Sequence, residues 1–141
     1  MKGRTVIVTG STSGIGAALA GGFAARGAHI VLNGLGEAGA IETARAALAS
    51  RHGVEVIYHG ADMARPEEVE DLVRTAEGHF GAVDILVNNA GIQHTEVIEA
   101  FPAERWDALI AINLTAPFLA MRAALPGMKR RGWGRIINIA S

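Results

Sequence analysis

Short apolar runs alternate along the chain with longer stretches in which apolar residues return every third or fourth position. The short runs are residues 5–9, 29–33, 55–60, 85–88 and 135–139. Each is apolar through its centre rather than alternating, the pattern of strands covered on both faces of a parallel sheet. Helices are predicted over 14–26, 38–50, 66–80 and 103–129. In the first, Ile15, Leu19 and Phe23 step every fourth residue, and Gly27 ends it. Pro66, with fixed φ and no N–H, suits the first turn of the third. That helix shows Val69, Leu72, Val73, Ala76 and Phe80 on one face, and Gly81 stops it. The fourth offers Trp106, Leu109, Ile110, Phe118, Met121 and Leu125 for burial, and Pro117 and Pro126 within it predict a kink or an early end. Five strands and four helices alternate without exception. With right-handed crossovers they predict an α/β class fold, a doubly wound parallel sheet forming one domain over residues 1–141.

Composition narrows the function. The 141 residues suit one domain, and 50% hydrophobic against 19% charged residues excludes a disordered chain. A net charge of −1 leaves no basic excess for a nucleic-acid backbone, so no nucleic-acid partner is expected. With no cysteine there is no disulfide framework, thiol nucleophile or thiolate metal site, and a reducing, cytoplasmic setting is permitted. The five histidines have no metal-ligand spacing, and no bound metal is expected. No apolar run approaches the ~20 residues of a membrane span, so no membrane partner is expected. The start is basic and then apolar, but Val6-Ile7-Val8 is far too short for a leader's apolar core.

The first strand runs into Thr9-Gly10-Ser11-Thr12-Ser13-Gly14-Ile15-Gly16 and then into the first helix. Gly10, Gly14 and Gly16 let the backbone turn sharply and approach a ligand, and Ser11, Thr12 and Ser13 add hydroxyl donors. A helix N-terminus offers free N–H groups to a phosphate. Strand before and helix after supply the context that makes a glycine-rich turn a dinucleotide signature rather than a plain turn.

This spacing, with Gly60-Ala61-Asp62, Asn88-Asn89-Ala90-Gly91 and Asn138-Ile139-Ala140-Ser141 at the ends of three later strands, resembles the short-chain dehydrogenase/reductase family. Gly91-Ile92-Gln93-His94-Thr95 and Arg135-Ile136-Ile137-Asn138-Ile139-Ala140-Ser141 further resemble its bacterial D-3-hydroxybutyrate dehydrogenases. The resemblance implies a Rossmann-like fold, an NAD-dependent oxidoreductase and hydride transfer between nicotinamide and a small 3-hydroxy acid (3-hydroxybutyrate/acetoacetate). It also implies a homo-oligomer, dimer or tetramer.

Under that resemblance Gly10, Thr12, Ser13, Gly14, Ile15 and Gly16 bind the cofactor, with Asp62, Met63, Asn89, Ala90 and Gly91 around its adenosine. Asp62 accepts from the adenine amino group, unless it only caps its turn. Asn113 helps hold a water of the proton relay, although an amide inside Ile110-Ala111-Ile112-Asn113-Leu114 is also expected to need a partner. Gln93 matches a residue that binds the substrate carboxylate, and a surface-loop glutamine is the plain alternative. Ser141 matches the serine that orients the carbonyl or alcohol. His94 has no evident partner. An acid after the second strand binds the adenine-ribose hydroxyls, and an arginine there clamps a 2′-phosphate. Asn33-Gly34-Leu35-Gly36 has neither; Asn33 is read as bonding a ribose hydroxyl, and NAD is favoured over NADP.

The sequence departs from the family where the reaction needs its base. The only tyrosine is Tyr58 and the only lysines are Lys2 and Lys129, so no Tyr-x-x-x-Lys pair is present. The expectation is therefore the N-terminal, cofactor-binding part of a longer enzyme, inactive alone and truncated relative to the full family fold. The alternatives are an NADP-dependent 3-oxoacyl reductase and a non-catalytic dinucleotide-binding fragment.

Overall fold

β-Branched residues at the sheet centre and small or amphipathic residues on the helices sort the chain into three layers. The computed structural model describes residues 1–140. The strands are β1 (Thr5–Val8), β2 (His29–Asn33), β3 (Val56–His59), β4 (Ile85–Asn88) and β5 (Arg135–Asn138). They form one parallel sheet in the order β3-β2-β1-β4-β5, with Val6 beside Ile30 and Ile85, and Asn88 beside Asn138. The helices are α1 (Gly14–Ala24), α2 (Ala38–His52), α3 (Pro66–Phe80), α4 (Ala103–Ile110) and α5 (Ala116–Arg131). A π turn (Ala111–Thr115) joins α4 and α5 into the fourth predicted helical body.

Two apolar layers clamp the sheet. One packs Ile7, Val31 and Leu86 against Leu72 and Val73 of α3 and Leu119 and Ala124 of α5. The other packs Val6, Val8, Ile30 and Val87 against Ala20 and Ala24 of α1. Each fully buried branched side chain of this kind stabilises the fold by about 1.5–3 kcal/mol. At the amino edge of the sheet, Asp84 accepts from the Thr5 N–H at 2.9 Å and from the Arg4 guanidinium at 3.1 Å. Arg4 also lies 3.8 Å over the Trp133 ring, tying β1 to the approach of β5.

Three expectations need correction. Of a kink or an early end, the early end is excluded: the fourth helical body runs from Ala103 to Arg131, interrupted by the π turn. Pro117 sits where the π turn hands over to α5, the first turn where a missing N–H costs little. This body is long and apolar enough to cross a membrane by length and composition, unlike the run lengths read from sequence, yet Leu119, Ala120, Ala124 and Met128 are buried on α3 and the sheet. Of the six side chains expected to be buried there, Trp106, Ile110, Phe118 and Leu125 are exposed, while Leu109 and Met121 are half-buried. Likewise Ile15, predicted in line with Leu19 and Phe23, is 65% exposed, and α1 meets the sheet through Gly16, Ala20 and Ala24.

Candidate functional site

Every strand of a parallel sheet ends on the same edge, so the loops after β1, β2, β3 and β4 converge there. Ligands of such sheets bind in the crevice outside the carboxyl ends, where the chain reverses direction of winding. Here that point lies between β1 and β4. Gly10, at φ +62°, brings the turn against the β4 loop: a Cβ on it would lie 2.8 Å from Ala90 Cα. Gly16 packs so closely that a Cβ would collide with the Gly10 carbonyl and press on the Asn89 amide. Thr9 and Asn89 stitch the two loops together. The Thr9 hydroxyl accepts from the Asn89 and Ala90 N–H groups, both at 3.0 Å, and the Asn89 amide donates to the Thr9 and Gly10 carbonyls.

Asn33 is the knot of the site. Its Oδ1 accepts from the Gly10 N–H at 3.2 Å, and its Nδ2 donates to the His59 and Ala61 carbonyls, both at 3.0 Å. It is fully buried. With its amide consumed by the turn after β1 and the end of β3, its side chain is not free for a ribose hydroxyl, which corrects the sequence-based role. Ser11 is corrected for the same reason: its hydroxyl is buried and donates to Val8 O at 2.7 Å rather than to a ligand. The Met63 side chain is packed in the core beside Val69 and Leu72, leaving only backbone for a ligand there.

What remains open is a cavity of about 250 Å³ lined by Thr12, Ser13, Leu35, Gly36, Glu37 and Ile41 among others. The cavity reaches Ser13, the residue before α1, which makes no side-chain cap, and α1 has no acid in its first turn, so the N–H groups of that turn are unpaired by side chains. No ligand need displace a Cβ at Gly14, above which there is open space. A dinucleotide phosphate fits this cradle. Glu37 is the residue that sequence reasoning missed. It precedes α2 and accepts from the Gly39 and Ala40 N–H groups at 2.8 and 2.6 Å, and these bonds hold its carboxyl below the usual glutamate range. An acid immediately before a helix start was the available signal. No lysine or arginine lines the cavity.

Of the other predicted residues, Asp62 caps its turn through Oδ1, which accepts from Ala64 N–H at 2.8 Å, while Oδ2 has the Arg65 guanidinium 3.9 Å away. Asn113, carried on the π turn, is exposed and clamps the Ile92 backbone both ways, accepting its N–H and donating to its carbonyl at 2.9 Å. The amide is thus paired, but on an exposed turn rather than in an apolar interior. Gly91 lies under it, 3.3 Å from Asn113 Oδ1 by its absent Cβ. Gln93 is exposed next to this clamp. His94 has an aromatic neighbour after all, standing edge-on to Phe101 at 5.1 Å. Ser141 lies outside the described residues.

A parallel sheet in this order, with a glycine turn leading into the first helix at its reversal point, defines a Rossmann-like α/β domain. The chain belongs to the short chain dehydrogenase family, whose family model matches residues 4–141. It is 58% identical to a D-beta-hydroxybutyrate dehydrogenase of Cupriavidus necator, covering 100% of this chain and 54% of that protein. A D-beta-hydroxybutyrate dehydrogenase of Rhizobium meliloti is 51% identical over 98% of this chain and 54% of its own. Among solved structures, the L-sorbose reductase of Gluconobacter frateurii complexed with NADPH and L-sorbose superposes with a TM-score of 0.95 at 40% identity, over 100% of this chain and 53% of that one. The chain thus spans about half the length of the curated relatives it matches.

Proposed function

We propose that this chain is the cofactor-binding part of an NAD-dependent short-chain dehydrogenase that interconverts a small 3-hydroxy acid and its 3-keto acid, with D-3-hydroxybutyrate as substrate. The observation that carries the reading is 58% identity along the whole chain to a relative named for that activity. The Glu37 carboxylate and the lack of a lining cation support NAD, since a 2′-phosphate there would meet a negative charge with no lysine or arginine in the lining to offset it. When bound, nicotinamide supplies the hydride acceptor. The chain's own part is to hold the pyrophosphate at the α1 N-terminus, the adenosine along Asp62, Ala90 and Gly91, and the substrate carboxylate at Gln93. In this reading Asn113, which fixes the Ile92 backbone, also holds a relay water, and Ser141 orients the reacting oxygen. The base that takes the hydroxyl proton has no counterpart among the residues of this chain. A second reading, an NADPH-using reductase, is favoured by the NADPH in the Gluconobacter structure.

Calorimetric titration of the whole protein separates the two. NAD is expected to bind more tightly than NADP, and Glu37→Gln is expected to narrow the gap by improving NADP alone. Equal or tighter NADP binding by the unaltered protein overturns the NAD reading. NADH formation with D-3-hydroxybutyrate, and none with the polyol that reduction of L-sorbose yields, checks the substrate. This reading includes a cytoplasmic homo-oligomer associating through the apolar face of α4 and α5.

A further inference from the structure

His59 ends β3 and joins three elements at once. Its Nδ1 accepts from the Ala61 N–H at 3.2 Å, its Nε2 faces Asp71 Oδ2 of α3 at 3.0 Å, and its carbonyl takes one hydrogen of the Asn33 amide at 3.0 Å. A backbone N–H can only donate, so Nδ1 carries no proton and the Nε2–H donates to Asp71. Asp71 is kept ionised for this: the Arg74 guanidinium at 2.8 Å, and then His59 itself, hold its carboxyl below the usual aspartate range. The imidazole side chain is largely covered, at 18% exposure, so its ring is held rather than free to rotate. The ring therefore fastens the Ala61 amide to α3, one residue before Asp62, whose backbone N–H is itself held by Glu68 of the same helix at 2.7 Å.

We propose that His59 is a positioning residue for the adenine end of the cofactor, setting the Gly60-Ala61-Asp62 turn through its Nδ1 while α3 holds the ring through Asp71. The proposal rests on the reading of Asp62 as the adenine partner. It assigns the two ring nitrogens different tasks: Nδ1 shapes the turn and Nε2 anchors the ring.

Two substitutions separate those tasks in the whole protein. In His59→Asn the amide oxygen stands where Nδ1 stood and keeps the Ala61 N–H paired, while the reach to Asp71 is lost. In His59→Gln the amide reaches Asp71, and the Ala61 N–H is left without its acceptor. The probes are adenosine monophosphate, nicotinamide mononucleotide and NAD, titrated calorimetrically. His59→Gln is expected to weaken adenosine monophosphate and NAD by about five- to ten-fold, the effect of one lost hydrogen bond. It should leave nicotinamide mononucleotide unchanged and raise KM for NAD at constant kcat. His59→Asn should restore adenosine monophosphate binding to near the unaltered value. Nitrogen chemical shifts of His59 should report a protonated Nε2 and a bare Nδ1. Unchanged adenosine monophosphate binding in His59→Gln, or equal weakening of both half-cofactors in both variants, overturns the proposal. Asp62→Ala tells that failure from the failure of the underlying reading: if it too leaves adenosine monophosphate binding intact, Asp62 is not the adenine partner, and if it alone weakens binding, only the role of His59 falls.

Discussion

Gly14 and Gly16 sit two positions apart in one loop and answer to different demands. A Cβ at Gly16 would run into the Gly10 carbonyl, so Gly16→Ala is expected to cost about 1–3 kcal/mol of stability, read as a lower Tm. A Cβ at Gly14 meets nothing, but its φ of +55° strains a β-branched residue, so Gly14→Val is expected to lower Tm and to lose dinucleotide binding, because its methyls fill the space above the α1 N-terminus. Retained NAD affinity in Gly14→Val would show that the loop is only a turn. The glycine spacing was readable in the sequence because only backbone geometry is at stake. Asn33 and Ser11 were not readable in the same way. Their spacing placed them at the strand ends, but burial and the pull of three neighbouring carbonyls and amides decide that they serve the scaffold. Glu37 escaped because the acid was sought directly after β2, whereas the helix start brings one from further along.

α3 was the most legible element, since its apolar and charged residues separate cleanly: Val69, Leu72, Val73 and Ala76 are buried, Pro66 opens it and Gly81 closes it at φ +82°. α1 was misread because its contact face is built of small residues. Gly16, Ala20 and Ala24 let the helix lie close on the sheet, and the larger Leu19 and Phe23 fall to its flanks. α2 depends on its first turn, where the Glu37 carboxylate takes two N–H groups. Its folded value lies below the unfolded one, so the stabilisation is present above the ordinary glutamate range and is lost as pH falls through the lowered folded value. Glu37→Gln should therefore reduce Tm near neutrality and converge on the unaltered protein in acid. A Tm difference that stays constant down to about pH 3 would show that the charge contributes nothing to the cap.

At the scale of the molecule, the described residues leave apolar surface on one flank. Trp106, Ile110, Leu114 and Phe118 are exposed at four-residue intervals, and Ile137 and Ile139 are about 40% exposed on the β5 side. Patches of this kind mark association surfaces. Leu114→Glu with Phe118→Glu is expected to reduce the sedimenting mass of the whole protein while leaving its Tm nearly unchanged, because these side chains are 65% and 54% exposed within one chain. An unaltered mass would place the contact elsewhere.

The π turn between α4 and α5 governs how straight that row of side chains is. An α-helix advances 100° per residue, so residues four apart overshoot a full circle by about 40° at each step. Three such steps would carry a row a third of the way around the helix, and Phe118 would look away from Trp106. Through Ala111–Thr115 each residue turns less, because hydrogen bonds reach five residues back. The drift is partly undone midway, which keeps the row closer to the helix axis. One local widening thus serves two directions at once, aiming Asn113 at Ile92 on the inner side and aligning a ladder of side chains on the outer. Deleting a single residue from that turn would restore regular winding, swing Asn113 out of reach and twist the ladder into a spiral.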